Sequence, residues 1–579
     1  MKKLLKYLKP YIKECIIAPA FKMLEAIFEL IVPLIITGII DRGITGEDRS
    51  VVFRAGGMLL VMYIVGLTCA LIAQYFAAKA AVGFARNVRA SLYSKILSFS
   101  HASIDSQGTS SLITRMTGDI ATVQGGVNMS LRLLLRSPFI VFGAMIMAFT
   151  INVRAALIFA VVIPVLFFVV FFITLKTIPR YKKIQGSLDS LTGHIRENLS
   201  GVRVVRAFSA GTTEKEIYDQ NNEEYYALSL VTSRLAAVLN PATLLVVNFA
   251  MLLLIYNGAD LVNGGVLTNG QVYALVNYMS QILVELVKLS NLLISLNKAS
   301  ACASRIADTL DVENELKDEG ELDVTNLKNE RAVIEFKDVS FAYPKAQDSF
   351  IKNVSFKVDK GEHVGIIGGT GSGKSTVLSL VMRFYDVTEG EVSLNGRDIR
   401  EVSMESLRRF VSVVPQRAQL FSGSLRDNLL FAKADATEEE MNRAVDLACA
   451  RDVVEKKGEG LDFEIREGGA NLSGGQKQRL SIARALVKDA TVIALDDSSS
   501  ALDYATDAKL RKNLRTLTDK TVLIVSQRII SVKDCDKIIV MDDGKIAGIG
   551  THAELLESCE VYREIFESQN TGDEEERVS

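Results

Sequence analysis

Long runs of apolar residues occupy the chain before about residue 300, whereas residues after about 330 have the mixed composition of a globular domain. Two of the runs, residues 155–175 and 236–259, contain no charged residue. Four weaker runs lie at about residues 16–40, 56–80, 130–151 and 270–296. Because a membrane-spanning helix needs about 20 mostly apolar residues, this pattern predicts six spanning helices.

Basic residues indicate which ends of the predicted spans face the cytoplasm. They cluster at the N-terminus and in residues 180–206, around the connection between the fourth and fifth spans. Under the positive-inside rule these segments are cytoplasmic. The N-terminal segment is also amphipathic, and its charges interrupt any signal-peptide core. We therefore expect it to form a short helix in the membrane interface and not to be cleaved.

Two of the predicted cytoplasmic connections are long and polar, at residues 81–129 and 179–235. Helical periodicity continues from the spans into both, which predicts that the spanning helices extend well beyond the bilayer. We place the tips of the connections near residues 110–119 and 211–218, as contact points with the second half of the chain. The alternative is that both are simple polar loops.

Three ionisable residues, Lys22, Glu25 and Glu29, lie at helical spacing inside the first predicted span. Charges within a membrane are costly and often functional. Glu25 and Glu29 share one helix face, so one of them is a candidate to contact a cationic ligand. The alternative is a local Lys22–Glu25 pair near the lipid headgroups. We expect the phenylalanines of the fourth span to face lipid or neighbouring helices: Phe167, Phe168, Phe171 and Phe172.

Composition narrows the classes of function further. Hydrophobic residues make up 49% of the 579 residues, which is high for a soluble enzyme of this size. The formal net charge is −2, so nothing indicates binding of nucleic acid. The six cysteines show no CxxC or CxxH spacing, and we expect free thiols in a reducing compartment.

A glycine-rich loop in the second half of the chain carries the strongest chemical signal. Residues 368–375 read GGTGSGKS, after a strand-like run and before a helix-like run. In that context the pattern predicts a phosphate-binding loop, because its backbone N–H groups and the helix N-terminus face phosphate oxygens. The predicted nucleotide contacts in this loop are Gly368, Gly369, Thr370, Gly371, Ser372, Gly373, Lys374, Ser375 and Thr376.

Further residues take specific roles around the predicted loop. Lys374 is expected to contact the β- and γ-phosphates, Ser375 to bind Mg²⁺, and Thr376 to support the α-phosphate. Residues 491–496 read TVIALD, a buried strand that would deliver Asp496 to the second shell of the metal. Gln416 would complete the Mg²⁺ sphere. Tyr343 offers a ring for stacking on adenine, the alternative being an exposed strand tyrosine.

The sequence LSGGQ predicts a second anion-binding helix end at residues 472–476. Ser473 is a candidate N-cap, and Gln476 at the third helical position would complete a capping box. The two glycines leave backbone N–H groups bare at the helix N-terminus. The predicted contacts of this motif are Leu472, Ser473, Gly474, Gly475 and Gln476.

These motifs, in this order and spacing, resemble the ATP-binding cassette (ABC) superfamily, and a membrane half followed by a cassette resembles an exporter-type half-transporter. The resemblance implies an all-α six-helix transmembrane domain of the type IV ABC exporter fold, followed by an α/β P-loop nucleotide-binding domain. The predicted boundaries are a membrane domain at 1–310, an acidic linker at 311–330, a cassette at 331–570 and a disordered acidic tail at 571–579.

The resemblance also implies how ATP and Mg²⁺ would be held. Two cassettes would close head-to-tail, with each ATP between the phosphate loop of one chain and the LSGGQ of the other. Asp503, in the SALD segment at residues 500–503, would cross to the partner's site.

Two catalytic positions depart from the family pattern. Where hydrolysing members have Glu after the strand aspartate, this chain has Asp497, which is one methylene shorter. Where they have a switch His, it has Gln527, which can bond the γ-phosphate but carries no charge. A misplacement of about 1 Å can cost on the order of 10²-fold in rate, so we predict impaired hydrolysis at this site. The chain's four histidines are all out of register: His101, His194, His363 and His552.

The motifs that would contribute to a partner's ATP site, LSGGQ and SALD, therefore match the family pattern. The two residues that would act at this chain's own site, Asp497 and Gln527, do not. This asymmetry resembles the degenerate-site subunit of heterodimeric bacterial multidrug exporters, and it implies a partner half-transporter with intact Glu and His. A homodimeric slow exporter and an ATP-gated regulatory membrane protein remain alternatives, whereas the spans argue against a soluble ABC ATPase. The resemblance implies a cytoplasmic-membrane location with the N-terminus and cassette in the cytoplasm. An apolar cavity would suit drugs, lipids or lipopeptides.

Overall fold

The computed structural model describes residues 2–314, 316, 318, 320–324, 331–343, 346 and 348–576. The chain divides into two compact units. The first comprises Met1–Leu97 and Gly108–Val312, and the second comprises Ser98–Gln107 and Glu313–Ser579. The division between the units thus falls at residue 312, and a short segment near residue 100 belongs to the second unit.

In its described residues the first unit consists of helices joined by short turns, and a 3-10 helix at Lys2–Tyr11 precedes the first α-helix. In chain order, the helices as far as residue 310 are α1 (Ile12–Gly38), α2 (Arg49–Leu97), α3 (His101–Gln107), α4 (Thr109–Thr114), α5 (Ile120–Leu133), α6 (Arg136–Ile151), α7 (Val153–Ser200), α8 (Val202–Ala207), α9 (Gly211–Ala237), α10 (Leu239–Asn263) and α11 (Asn269–Leu310). Of these, α3 lies in the second unit. Side-chain caps fix two of the starts, since Asn152 accepts the Ala155 amide before α7 and Thr268 forms a capping box with Gln271 before α11.

Within the described residues, six helical stretches are long and apolar enough to cross a membrane, which confirms the predicted number of spans. They are Lys3–Ile44, Arg49–Leu97, Thr109–Ile151, Val153–Ser200, Gly211–Asn263 and Asn269–Leu310. The shortest has 42 residues and the longest 53. At about 1.5 Å per residue these are roughly 60–80 Å long, twice the thickness of a hydrocarbon core. The helices therefore extend beyond the bilayer, as the polar periodicity predicted.

The tip of the first polar connection lies earlier in the chain than predicted. Residues 110–119 are part of the first unit, where Asp119 is buried and bound by Arg305 at 2.8 Å. The segment that joins the second unit is Ser98–Gln107. The Ser100 hydroxyl accepts the Ser103 amide at 3.2 Å and so starts the new helix α3, and Gly108, at φ +72°, follows its end.

The tip of the second connection also precedes its predicted position. α8 (Val202–Ala207) ends before residue 211, so the turn between α8 and α9 lies at about residues 208–210. The predicted tip at 211–218 is the first two turns of α9 (Gly211–Ala237).

Three sheets lie in the described residues of the second unit, the smallest of which pairs β7 with β8. The largest has six strands in the order β12-β11-β3-β10-β9-β6, of which all but β12 run parallel, and an antiparallel sheet has the order β2-β1-β4-β5. The strands are β1 (Ala332–Phe341), β2 (Ile351–Asp359), β3 (His363–Gly368), β4 (Glu389–Leu394), β5 (Arg397–Asp398), β6 (Val411–Val414), β7 (Gly423–Ser424), β8 (Glu464–Ile465), β9 (Val492–Asp496), β10 (Thr521–Ser526), β11 (Lys537–Asp542) and β12 (Lys545–Gly550). β3 and β10 are buried at every residue, as expected for central parallel strands covered on both faces.

Helices cover the large sheet and extend beyond it. They are α12 (Lys374–Val381), α13 (Met404–Phe410), α14 (Leu425–Leu430), α15 (Glu438–Leu447), α16 (Arg451–Lys457), α17 (Gly474–Val487), α18 (Tyr504–Arg515), α19 (Ile529–Val532), α20 (His552–Ser558) and α21 (Glu560–Glu576). Carboxyl ends of parallel strands meet at one edge of such a sheet, which is the usual place for a ligand in this architecture.

Two predicted disordered or linking segments have more structure than composition indicated. In the linker, Val324 is fully buried and its amide bonds the Ser406 hydroxyl at 2.8 Å. Part of the linker lies outside the described residues, namely residues 315, 317, 319 and 325–330. At the C-terminus, α21 continues to Glu576, through the first residues of the predicted tail, and residues 577–579 lie outside the described part.

Candidate nucleotide site

The predicted phosphate-binding loop joins β3 to α12, at the edge of the large sheet where its parallel strands end. Two of its glycines have backbone conformations that other residues rarely adopt, with φ +83° at Gly371 and +100° at Gly373. A Cβ on Gly373 would lie 2.5 Å from the Cδ1 atom of Ile351. The loop can therefore turn tightly into α12, which begins at the next residue, Lys374.

The Lys374 ammonium group lies inside the loop. It donates hydrogen bonds to the carbonyl of Gly368 at 2.9 Å and to that of Gly369 at 2.5 Å. Burial lowers the pKa of Lys374, and the carboxylates of Asp497 and Asp496 act in the opposite direction. A buried cation surrounded by backbone amides suits the phosphate groups of a nucleotide.

Two of the three predicted metal ligands are in direct contact. The Ser375 hydroxyl donates to the Oδ1 atom of Asp496 at 2.8 Å. Burial raises the pKa of Asp496, the hydrogen bond from Ser375 opposes that shift, and the Asp497 charge adds to it. A hydroxyl and a carboxylate are oxygen ligands that Mg²⁺ accepts, so this pair fits the predicted ion. The third predicted ligand, Gln416, donates instead to the Oδ2 atom of Asp497 at 3.5 Å.

Asp497 follows β9 in an unusual backbone conformation, with φ +43°. Aspartate tolerates this left-handed region better than most residues do. The Asp497 amide donates to the Val525 carbonyl at 2.9 Å, which ties the residue to β10. Burial raises the pKa of Asp497, while hydrogen bonds from Gln416 and from the Gln527 backbone lower it. The Gln527 backbone thus lies close to the Asp497 carboxyl, so the two residues that depart from the family pattern are near each other.

Tyr343 lies next to the phosphate-binding loop. Its hydroxyl is 2.9 Å from the Thr376 hydroxyl, and its half-buried ring packs edge-on against Phe341, Phe350 and Tyr385. These contacts fix the position of the ring beside the site. They do not fit the alternative of a freely exposed strand tyrosine. Pro344, the next residue of the predicted aromatic segment, lies outside the described residues.

The LSGGQ motif starts α17 as predicted. The Ser473 hydroxyl accepts the Gln476 amide at 3.4 Å, and the Gln476 side chain accepts the Ser473 amide at 2.9 Å, so the capping box is confirmed. A Cβ on Gly475 would lie 2.9 Å from the Ala501 carbonyl, so the motif touches the SALD segment. Within that segment, Asp503 caps α18 by accepting the Thr506 amide at 3.1 Å.

Sequence reasoning missed one contact of the switch position. The Gln527 carbonyl accepts a hydrogen bond of 2.7 Å from the side chain of Gln569, which belongs to α21. The two residues are 42 positions apart, and no local pattern links them.

The charged residues of the first span belong to a larger intramembrane cluster. Arg136 is buried and donates to Glu285 at 2.7 Å and to Glu29 at 2.6 Å. Glu25 is bonded to Lys22 at 2.5 Å, which is the local pair given above as the alternative. Both glutamates proposed for a cationic ligand are therefore paired within the chain. Arg136 and Glu285 are charges inside predicted spans, so the rule that singled out Glu29 could have found them. The ionic cluster, as we name it, comprises Lys22, Glu25, Glu29, Arg136, Glu285 and Lys288.

Comparison with known proteins covers both units. A family model described as the ABC transporter transmembrane region matches residues 15–286, and one described as ABC transporter matches residues 351–500. The chain is 33% identical over 569 residues to an uncharacterized ABC transporter ATP-binding protein, YfiB, of Bacillus subtilis, covering 98% of each chain. It is 33% identical over 570 residues to another of Mycobacterium tuberculosis, covering 97% of each.

More distant similarities add a named activity and a fold. An ATP-dependent lipid A-core flippase of Vibrio vulnificus is 28% identical over 574 residues, covering 98% of this chain and 97% of that one. A solved structure of a bacterial Atm1-family ABC exporter with ATP bound matches with a TM-score of 0.79 at 22% identity, covering 97% of this chain and 98% of that chain. The structural match concerns the fold.

Proposed function

This chain belongs to the ABC transporter family, and from that premise we propose that it is the subunit of a heterodimeric exporter that supplies the weaker of two ATP sites. The family and fold make it an ABC exporter half, a multi-pass membrane protein with a cytoplasmic nucleotide-binding domain and ATPase-coupled transport. The observation that carries the finer proposal is that Asp497 and Gln527 stand at the two positions that depart from the family pattern, beside an otherwise complete phosphate-binding loop.

At this site the chain's own residues bind ATP but polarise water poorly. Lys374 and the loop amides hold the phosphates, and Ser375 with Asp496 would hold Mg²⁺, which neutralises phosphate charge when bound. The Asp497 carboxylate is held back by a shorter side chain and by its bond to Gln416, 3.5 Å away. Gln527 contributes no positive charge to the developing transition state. ATP would therefore remain bound here for longer than at a site with Glu and His.

The competent site would be built from two chains. This chain would lend the N-terminus of α17, with Ser473 as its cap, to ATP held on the partner's phosphate loop. The partner would supply Glu and His at the positions of Asp497 and Gln527. ATP binding would close the two cassettes and turn the membrane cavity outward, and hydrolysis at the partner's loop would reset it.

The proposed substrates are amphipathic compounds or lipids. Two observations support this class: the six long apolar helices, and the similarity to proteins named lipid A-core flippases. Phe168 and Phe172 of α7 are exposed in this unit, and we assign this apolar surface to lipid or neighbouring helices and not to the substrate. Within the ionic cluster, positive and negative groups pair with each other, so no unpaired charge among its six members selects a charged substrate.

Tagging this chain in its native cell and purifying it in mild detergent is the experiment that tests the proposal. We expect a second half-transporter to co-purify in equal amount, with Glu and His at the two altered positions. Reconstituted into vesicles, the pair should accumulate a fluorescent amphipathic compound or lipid against its gradient when ATP is present. Recovery of this chain alone as a dimer would contradict the heterodimer. ATP-dependent leak without uphill accumulation would instead support an ATP-gated regulatory protein.

Restoring the two altered residues should restore hydrolysis at this chain's site. In a complex whose partner has lost its phosphate-loop lysine, the double variant Asp497→Glu with Gln527→His is expected to raise ATP turnover at least about tenfold, because the base and the positive charge both return. Steady-state phosphate release measures the effect. Gln527→Asn, which returns neither group, is the matched control and should leave turnover low. An unchanged rate in the double variant would show that these two residues are not what limits hydrolysis.

A further inference from the structure

The side chain of Gln569 bridges both ends of the short backbone turn that follows Gln527. Its Nε2 atom donates to the Gln527 carbonyl at 2.7 Å, and its Oε1 atom accepts the Ile529 amide at 2.9 Å. Ile529 is the first residue of α19, and Arg528 before it gives no side-chain cap. Gln569 therefore satisfies a helix-start amide that α19 itself leaves open.

The backbone of Gln527 is also held from the opposite direction. Its backbone lies close enough to the Asp497 carboxyl to lower the pKa of that group, while the Arg528 amide donates to the Ser526 hydroxyl at 3.0 Å. Gln527 thus lies between the residue at the catalytic-base position and the C-terminal helix. The bonds to the Gln527 carbonyl and to the Arg528 amide hold both sides of one planar peptide group, which restricts the Gln527 backbone and so the direction of its Cα–Cβ bond.

The helix that carries Gln569 is anchored to the core of the second unit. Tyr562 is fully buried, and its hydroxyl is 2.7 Å from the Nδ1 atom of His552. Phe566 packs against the same core cluster. Tyr562, Phe566 and Gln569 fall on one face of α21, at spacings of four and three residues. These core contacts hold α21 in place, and α21 therefore positions Gln569 beside the turn at residues 527–529.

We propose that Gln569 is a positioning residue for the switch residue, which sets the Gln527 side chain for contact with the γ-phosphate of ATP bound to this chain. The inference rests on the proposed function, because it requires ATP on this phosphate loop with Gln527 facing its γ-phosphate. This role extends the nucleotide site to α21, so that the C-terminal helix contributes to discrimination between ATP and ADP.

The test measures nucleotide preference on this chain within the purified complex. An azido-ATP analogue labels both subunits, electrophoresis separates them, and ATP or ADP competes for the label on this chain. In Gln569→Ala, the preference for ATP over ADP should fall up to about tenfold, the value of one to two hydrogen bonds. Gln569→Glu keeps the acceptor for Ile529 but loses the donor to Gln527, so the same loss is expected. Glu564→Ala, on an exposed position of α21, is the control and should change nothing.

A double-mutant cycle separates positioning from a general structural role. If Gln569 acts through Gln527, then Gln569→Ala should have no further effect on nucleotide preference in a Gln527→Ala background. An additive loss, or an equal loss of ATP and ADP affinity, would overturn the inference. So would a normal ATP preference in Gln569→Ala when Gln527→Ala lowers it. If Gln527→Ala itself leaves the preference unchanged, the assignment of Gln527 to the γ-phosphate fails together with this inference.

Discussion

Replacing Ser473 with Ala in this chain is expected to lower ATP hydrolysis by the whole complex about 10²-fold, as for loss of one well-placed donor to a developing charge. Asp497→Asn should change it little. The reason is that Ser473 would serve ATP bound to the partner, whereas Asp497 serves a site that already hydrolyses poorly. Phosphate release by the reconstituted pair at saturating ATP measures both variants. Equal losses from the two substitutions would contradict the heterodimeric arrangement.

The Ser473 variant needs a control for stability, because this residue also caps α17. Losing an N-cap costs about 1 kcal/mol, which would not by itself remove activity. Thr437 forms the same type of capping box at the start of α15, outside the motif. Thr437→Ala should therefore lower the melting temperature to a similar extent as Ser473→Ala while leaving hydrolysis intact. Loss of activity in both variants would attribute the effect to folding.

Replacing Arg136 with Met should destabilise the first unit by about 3–5 kcal/mol, the usual cost of leaving a buried charge without its partner. The Glu285 side chain is 3% exposed and would lose its buried cation, and Glu29 would lose its bond as well. Thermal unfolding in detergent, followed by the loss of monodisperse protein, measures the change. Lys288→Met is the matched control, because Lys288 also bonds Glu285 but is 42% exposed, and its loss should cost little.

A compensated variant tests whether the Arg136 effect is electrostatic. Arg136→Met combined with Glu285→Leu and Glu29→Gln removes all three charges together. Replacing a buried charge together with its partners by apolar or neutral groups is often neutral for stability, and the charges that remain in the ionic cluster are the Lys22–Glu25 pair and the exposed Lys288. The triple variant should therefore recover much of the melting temperature lost by Arg136→Met. If the triple variant is as unstable as the single one, packing of the arginine rather than its charge holds these helices.

Much of the fold and of the site could be predicted from signals that each lie within one short stretch of sequence. Six spans follow from the length of the apolar runs, and the Ser473–Gln476 capping box follows from a spacing of three. The contact of Ser375 with Asp496 could be expected because both follow parallel strands that end at one edge of the sheet. In each case the interaction is fixed by local geometry or by a sheet whose strand ends must meet.

Contacts between distant segments could not be derived in this way. Arg136 and Glu285 are 149 positions apart, and their pairing depends on how α6 packs beside α11. The Gln569 bridge depends on where α21 docks. The predicted tip at 110–119 was wrong for a different reason. Polar periodicity continues across residues 98–119 and predicts a continuous helix there. The helix is in fact interrupted by a serine cap at Ser100 and by Gly108, and these two residues are a weaker signal in the sequence than the periodicity.

The unusual length of α2 has a mechanical consequence. Its 49 residues span roughly 73 Å, of which a hydrocarbon core accounts for about 30 Å. Residues 81–97, beyond the predicted span at 56–80, form a lever arm of roughly 25 Å, and a tilt of about 5° would move the end of such an arm by about 2 Å. Leu97, at that end, directly precedes the Ser98–Gln107 segment of the second unit. A small angular change of α2 among lipids is thereby converted into a displacement of about 2 Å at the start of that segment.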